Sequence, residues 1–89
     1  MKRFTIIYKK LRKVWGYAVI DTNTIEISDR ARGKKHLELV LHEMIHLLWN
    51  DETEEEVERK SILMTNTLWH EKYRRVDDTN LSPLQDGTK

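Results

Sequence analysis

Apolar positions in this chain change period along its length. Phe4-Thr5-Ile6-Ile7-Tyr8 and Val14-Trp15-Gly16-Tyr17-Ala18-Val19-Ile20 are short runs rich in β-branched and aromatic residues, which predicts two strands. Thr24-Ile25-Glu26-Ile27-Ser28 alternates polar and apolar, as a half-exposed third strand should. Asp21-Thr22-Asn23 between the second and third has turn chemistry, so these two read as an antiparallel hairpin. The basic segment 9–13 connects the first two strands, either as a turn or as a short helical connection. Gly16 inside a strand marks a bulge or a close approach of backbones.

From about residue 34 the spacing becomes helical. A helix over 34–49 places Leu37, Val40, Leu41, Met44 and Leu48 on one broad face. His42, His46 and Leu39 fall on the other side, so the histidines lie beside the main apolar stripe, at the mouth of a small cleft. Asn50-Asp51-Glu52 ends this helix, and Thr53-Glu54-Glu55-Glu56 has the form of a capping box that starts another. The second helix runs to about Tyr73. With Glu54 as origin, Val57, Glu58, Ser61, Met64, Thr65 and Leu68 fall within about 80° of it, and Glu55 and Glu56 point elsewhere. Residues 77–89, with Asp, Asn, Ser, Gly and the one proline, read as a flexible tail. The pattern predicts an α+β fold: a small antiparallel sheet of about three strands followed by two packed helices. It forms one domain over residues 1–76, with the tail after it.

Composition narrows the function classes. The chain has 89 residues, 38% hydrophobic and 35% charged, so its core is modest. With no cysteine, disulfides and thiolate metal sites are excluded, which leaves histidine and carboxylate as candidate ligands. No apolar run reaches the length of a membrane span and no signal-peptide core is visible, so a cytoplasmic protein with no membrane partner is expected. A net charge of +1 predicts no general attraction to nucleic acid. Lys2, Arg3, Lys9, Lys10, Arg12 and Lys13 load one end and segment 51–58 is acidic; these read as solvated surfaces, or as a basic face for an acidic partner. Only Tyr8 and Trp15 flank the basic run, too little aromatic interleaving for nucleic-acid binding.

The chemistry concentrates in His42-Glu43-Met44-Ile45-His46. Residues four apart share a helix face, so His42 and His46 can offer two imidazole nitrogens to one metal ion. Glu43, about 100° round, can lean over the same ion and act as a base toward water without ligating it. The plain alternative is a pair of core-edge histidines on an amphipathic helix, with Glu43 a solvated charge. A catalytic zinc ion has three protein ligands, and the candidates for the third are Glu54, Glu55, Glu58, Asp51, His36 and His70. His36 lies far round the wheel from the pair, His70 points away if Glu54 points in, and Asp51 sits close to the helix end. A short turn would fold the second helix antiparallel on the first and bring Glu54 to the histidines. Glu58, one turn on, is either the ligand itself or the acceptor for the outer N–H of a ligand histidine.

Hairpin, H-E-x-x-H helix, then a second helix carrying a glutamate resembles the gluzincin metallopeptidases. More narrowly, the chain is similar to their small intracellular members, including the ImmA/IrrE-type peptidases of phages and mobile elements. The resemblance covers residues 14–69; His42-Glu43-x-x-His46 is its specific part and Glu54-x-x-Val57-Glu58 a looser match. It implies a minimal zincin-like core with zinc held by His42, His46 and Glu54, Glu43 as general base, and Glu58 beside a ligand histidine. It also implies an edge strand beside the metal that pairs with extended substrate, which is the functional reading of Gly16 and its neighbours. Tyr17 and Tyr73 are the tyrosines to consider for stabilising an oxyanion. The expected activity is zinc-dependent hydrolysis of a peptide or protein substrate, with a protein partner able to complete the cleft. The alternative is a non-enzymatic, metal-stabilised accessory or interaction module of phage type.

Overall fold

A computed structural model describes residues 3–76. The elements run β1 (Thr5–Lys9), β2 (Gly16–Val19), a 3-10 turn (Ile20–Thr22), β3 (Thr24–Ser28), α1 (Gly33–Leu48) and α2 (Glu54–His70). The fold is α+β, a small three-stranded sheet followed by two helices, as the periodicities predict. The tail expected at 77–89 lies outside the described residues.

β2 and β3 form the expected antiparallel hairpin, with Gly16 opposite Ile27 and Val19 opposite Thr24. Asn23 closes the turn with φ 50°, a left-handed conformation that asparagine tolerates better than most residues. β1 departs from the expected all-antiparallel sheet. It pairs with β3 in parallel, Thr5 opposite Thr24 through Lys9 opposite Ser28, so the sheet is mixed with order β1-β3-β2. Parallel neighbours need a crossover. Here it spans residues 10–23 and contains β2, and its first part, residues 10–15, passes across the end of β3: Asp29 N–H donates to the Lys9 carbonyl at 2.8 Å, and Ser28 N–H donates to the Trp15 carbonyl at 2.7 Å. β2 is left as an edge strand, and its Gly16 is fixed by the sheet itself. A Cβ there would sit 2.9 Å from the Glu26 carbonyl oxygen, too close for any side chain without moving backbone.

Ile25 and Ile27 of β3 are fully buried and, with Ala31 and Leu39, form the core under Phe4, Ile6, Val40, Met44 and Leu47. Each such isoleucine contributes about 1.5–3 kcal/mol by leaving water. The sheet packs on α1, and α2 packs on α1 rather than on the sheet, so α1 is the middle of three layers. This revises the reading of α1 as having one apolar face. Leu39, Glu43 and Ile45 are its buried residues, whereas Leu48, placed on the apolar stripe, is 54% exposed. On α2 the buried face is Val57, Ser61 and Thr65, and Met64 at its rim is exposed. No helix among the described residues is long and apolar enough to cross a membrane.

Candidate metal centre

The geometry of the centre starts with how α2 begins. Thr53 caps it: the Glu56 backbone N–H donates to Thr53 Oγ1 and the Thr53 N–H donates to Glu56 Oε1, both at 3.1 Å. This is the reciprocal capping box that Thr53-Glu54-Glu55-Glu56 predicts. It makes Glu54 the first residue of α2 and aims its side chain back at the last two turns of α1. Glu55 and Glu56 are exposed, as expected, and Glu56 is consumed by the cap.

The Glu54 carboxylate bridges the two motif histidines. Its Oε2 lies 2.9 Å from His42 Nε2 and its Oε1 lies 2.9 Å from His46 Nε2. The imidazole rings stand edge to face, centroids 4.9 Å apart. Donor atoms of His42, His46 and Glu54 all fall within 4.8 Å of one another, and this group can hold a metal ion. Two imidazole nitrogens and one carboxylate oxygen make up its donor set. His42 is mostly shielded between the helices, while the Glu54 side chain is 69% exposed, so the centre opens to solvent on the α2 side.

Glu43 is buried, 7% exposed, on the sheet side of α1 between Leu39 and Leu47. Burial pushes its carboxyl above the usual carboxylate range; His42 and His46 partly counter this and Glu54 adds to it. A carboxylate that holds its proton more tightly is a better base toward water near neutral pH. No hydrogen-bond or ion-pair partner of Glu43 is present among the described residues.

Glu58 Oε1 lies 3.8 Å from His42 Nδ1. Ser61, which sequence reasoning placed on the packing face without a role, brings its Oγ to 3.5 Å from the same nitrogen. The signal was present: seven residues from Glu54 is two helical turns, so both side chains point to α1.

The remaining candidates are elsewhere. His36 stacks on Tyr8 with its Nε2 2.8 Å from the Tyr8 hydroxyl. His70 pairs with Glu71, and Asp51 is exposed in the interhelical turn. The Tyr17 hydroxyl donates to Glu26, whose neighbours Ile25 and Ile27 point to the core; Tyr17 therefore lies on the outer face of the sheet, away from the centre. Tyr73 is 63% exposed beyond the far end of α2. A cavity of about 340 Å³ lies apart from the centre, lined by Lys10, Leu11, Arg12, Asp29 and Arg30. No family model, no curated protein and no solved structure matches this chain.

Proposed function

We propose that the chain is a minimal zinc-dependent metallopeptidase. One observation carries this reading: a single carboxylate from α2 reaches both imidazoles of the H-E-x-x-H turn, next to a buried glutamate with a raised pKa. Nitrogen and oxygen donors in a three-ligand set suit zinc, and the absence of cysteine suits a cytoplasmic site of action. Bound there, zinc supplies Lewis acidity toward a peptide carbonyl and toward water. His42, His46 and Glu54 hold it and fix its position relative to Glu43. The Glu43 carboxylate takes a proton from the attacking water, and the resulting carboxylic acid gives it to the departing amine nitrogen. The substrate is a peptide or protein, brought to the solvent-facing side of the centre, where a protein partner can complete the cleft.

The test is metal content together with peptide hydrolysis. Zinc is expected at about one per chain, three protein ligands to the ion, and is lost in His42→Ala and in His46→Ala. Glu43→Gln keeps the metal and lowers cleavage by about 10²–10⁴-fold. A Glu43→Gln protein that cleaves as fast as the parent removes that residue from the chemistry.

A second reading, a metal-stabilised interaction module, is favoured by the same donors tying α2 to α1. Among its described residues α2 buries only Val57, Ser61 and Thr65, so a metal clamp would add much to its docking. The cobalt-substituted protein separates the two. A spectrum unmoved by small anions or hydroxamates supports the module, and one that responds supports the enzyme.

A further inference from the structure

We propose that, in the metal-loaded centre, the buried Ser61 hydroxyl, rather than the Glu58 carboxylate, is the acceptor for the His42 Nδ1–H and so orients the ring with Nε2 toward the metal. This rests on the metal-centre reading above. A neutral imidazole has one N–H and one lone pair. If Nε2 gives its lone pair to a metal, the proton sits on Nδ1, and an acceptor for that N–H orients the ring and raises its basicity.

Two groups of α2 face His42 Nδ1. Glu58 Oε1 is at 3.8 Å, beyond hydrogen-bonding distance, on a side chain that is 53% exposed. A carboxylate is the stronger acceptor at close range. To act here, however, this one must move inward, lose water and give up the rotamer freedom of a long side chain. Ser61 Oγ is at 3.5 Å, the outer edge of hydrogen-bonding distance, on a residue with no solvent exposure. Its own O–H donates to the Glu58 carbonyl at 3.0 Å, which fixes the side chain and leaves its lone pairs to accept. Ser61 is thus ordered by packing and by its own helix before any metal arrives.

The competing explanation is that Ser61 is merely a small residue that lets the helices approach. Alanine satisfies that requirement and removes the hydroxyl, with both its acceptor and its bond to the Glu58 carbonyl of its own helix, so Ser61→Ala separates the spacer role from the hydroxyl's. It is expected to fold, because alanine is smaller and a better helix former. Serine to threonine restores the hydroxyl.

The experiment measures zinc affinity by competition with a chromophoric chelator, and records ¹⁵N–¹H imidazole spectra of the zinc-loaded protein. Ser61→Ala is expected to bind zinc about tenfold more weakly or worse, and to lose the sharp His42 Nδ1–H resonance while the helical circular dichroism is retained. Ser61→Thr recovers the resonance and most of the affinity, and Glu58→Gln changes either one little. The proposal is overturned if Ser61→Ala keeps both wild-type affinity and the resonance, or if Glu58→Gln loses as much as Ser61→Ala. Wild-type protein that takes up no zinc overturns the metal-centre reading, and this inference with it; zinc bound by wild type and Ser61→Ala with equal affinity, the resonance retained in both, overturns this inference alone.

Discussion

Two carboxylates of this chain are moved in opposite directions by their surroundings. Glu43 is desolvated in the core and its pKa rises; Glu26, on the outer face of the sheet, accepts a hydrogen bond from Tyr17 and another from Lys9, and its pKa falls. The same contact raises Tyr17, because ionising the phenol would lose the bond it donates. The linkage follows from these directions. The contribution of Glu26 is present above the ordinary carboxylate range and is lost as pH falls through its lowered pKa. That of Tyr17 is present below the ordinary phenol range and is lost as pH rises through its raised pKa. Tyr17→Phe is therefore expected to melt below the parent near neutral pH, with the gap closing at both the acid and the alkaline ends. Melting curves across pH that run parallel for the two proteins would dissociate Tyr17 from this linkage.

Among the elements, α2 matters through its first turn. The box of Thr53 and Glu56 satisfies two backbone N–H groups and makes Glu54 the first helical residue. Glu54 then stands on a helix rather than on a frayed loop end when it meets His42 and His46. Thr53→Ala is expected to cost about 1 kcal/mol of stability. It should also weaken metal binding although Thr53 touches no donor atom, because the start of α2 would fray. Denaturant unfolding and a zinc titration on the same variant check the pair of effects; loss of stability with unchanged affinity would show that Glu54 is held without its cap. At the opposite end of the site, α1 is fixed as the central layer. The sheet covers the side carrying Leu39, Glu43 and Leu47, and α2 covers the side carrying the histidines.

For the molecule as a whole, the core is thin. Ile25, Ile27, Ala31, Leu39, Ile45 and Val57 are its buried hydrophobic residues among those described, and most of them lie between the sheet and α1. A ligand that binds only the folded state stabilises it by about 2.7 kcal/mol at a free concentration 100 times its Kd. At about 4–8 °C per kcal/mol for a domain of this size, metal loading is expected to raise the melting temperature by roughly 10–20 °C. Calorimetry with and without a chelator measures it, and Glu54→Ala should abolish most of the shift. A melting temperature indifferent to both zinc and chelator would show that the three donors do not act together.

The features legible in the sequence are those written in neighbouring residues. The α+β class, the β2–β3 hairpin, the box at Thr53 and the shared face of His42 and His46 all follow from local period and local hydrogen bonding. Glu54 was reachable because a short turn and a wheel suffice to bring it to the histidines. Three features depended on contacts distant in sequence. The parallel partner of β1 is set by β3, with the whole of β2 between them in the chain. The burial of Glu43 and the exposure of Leu48 reflect which sides of α1 the sheet and α2 cover, and a wheel shows only which residues share a side. The approach of Ser61 Oγ to within 3.5 Å of His42 Nδ1 exists only because of the depth at which α2 docks on α1. Period is a property of a segment. Pairing, burial and partner choice are properties of the surfaces that segments leave to one another, and those exist only once the chain has closed.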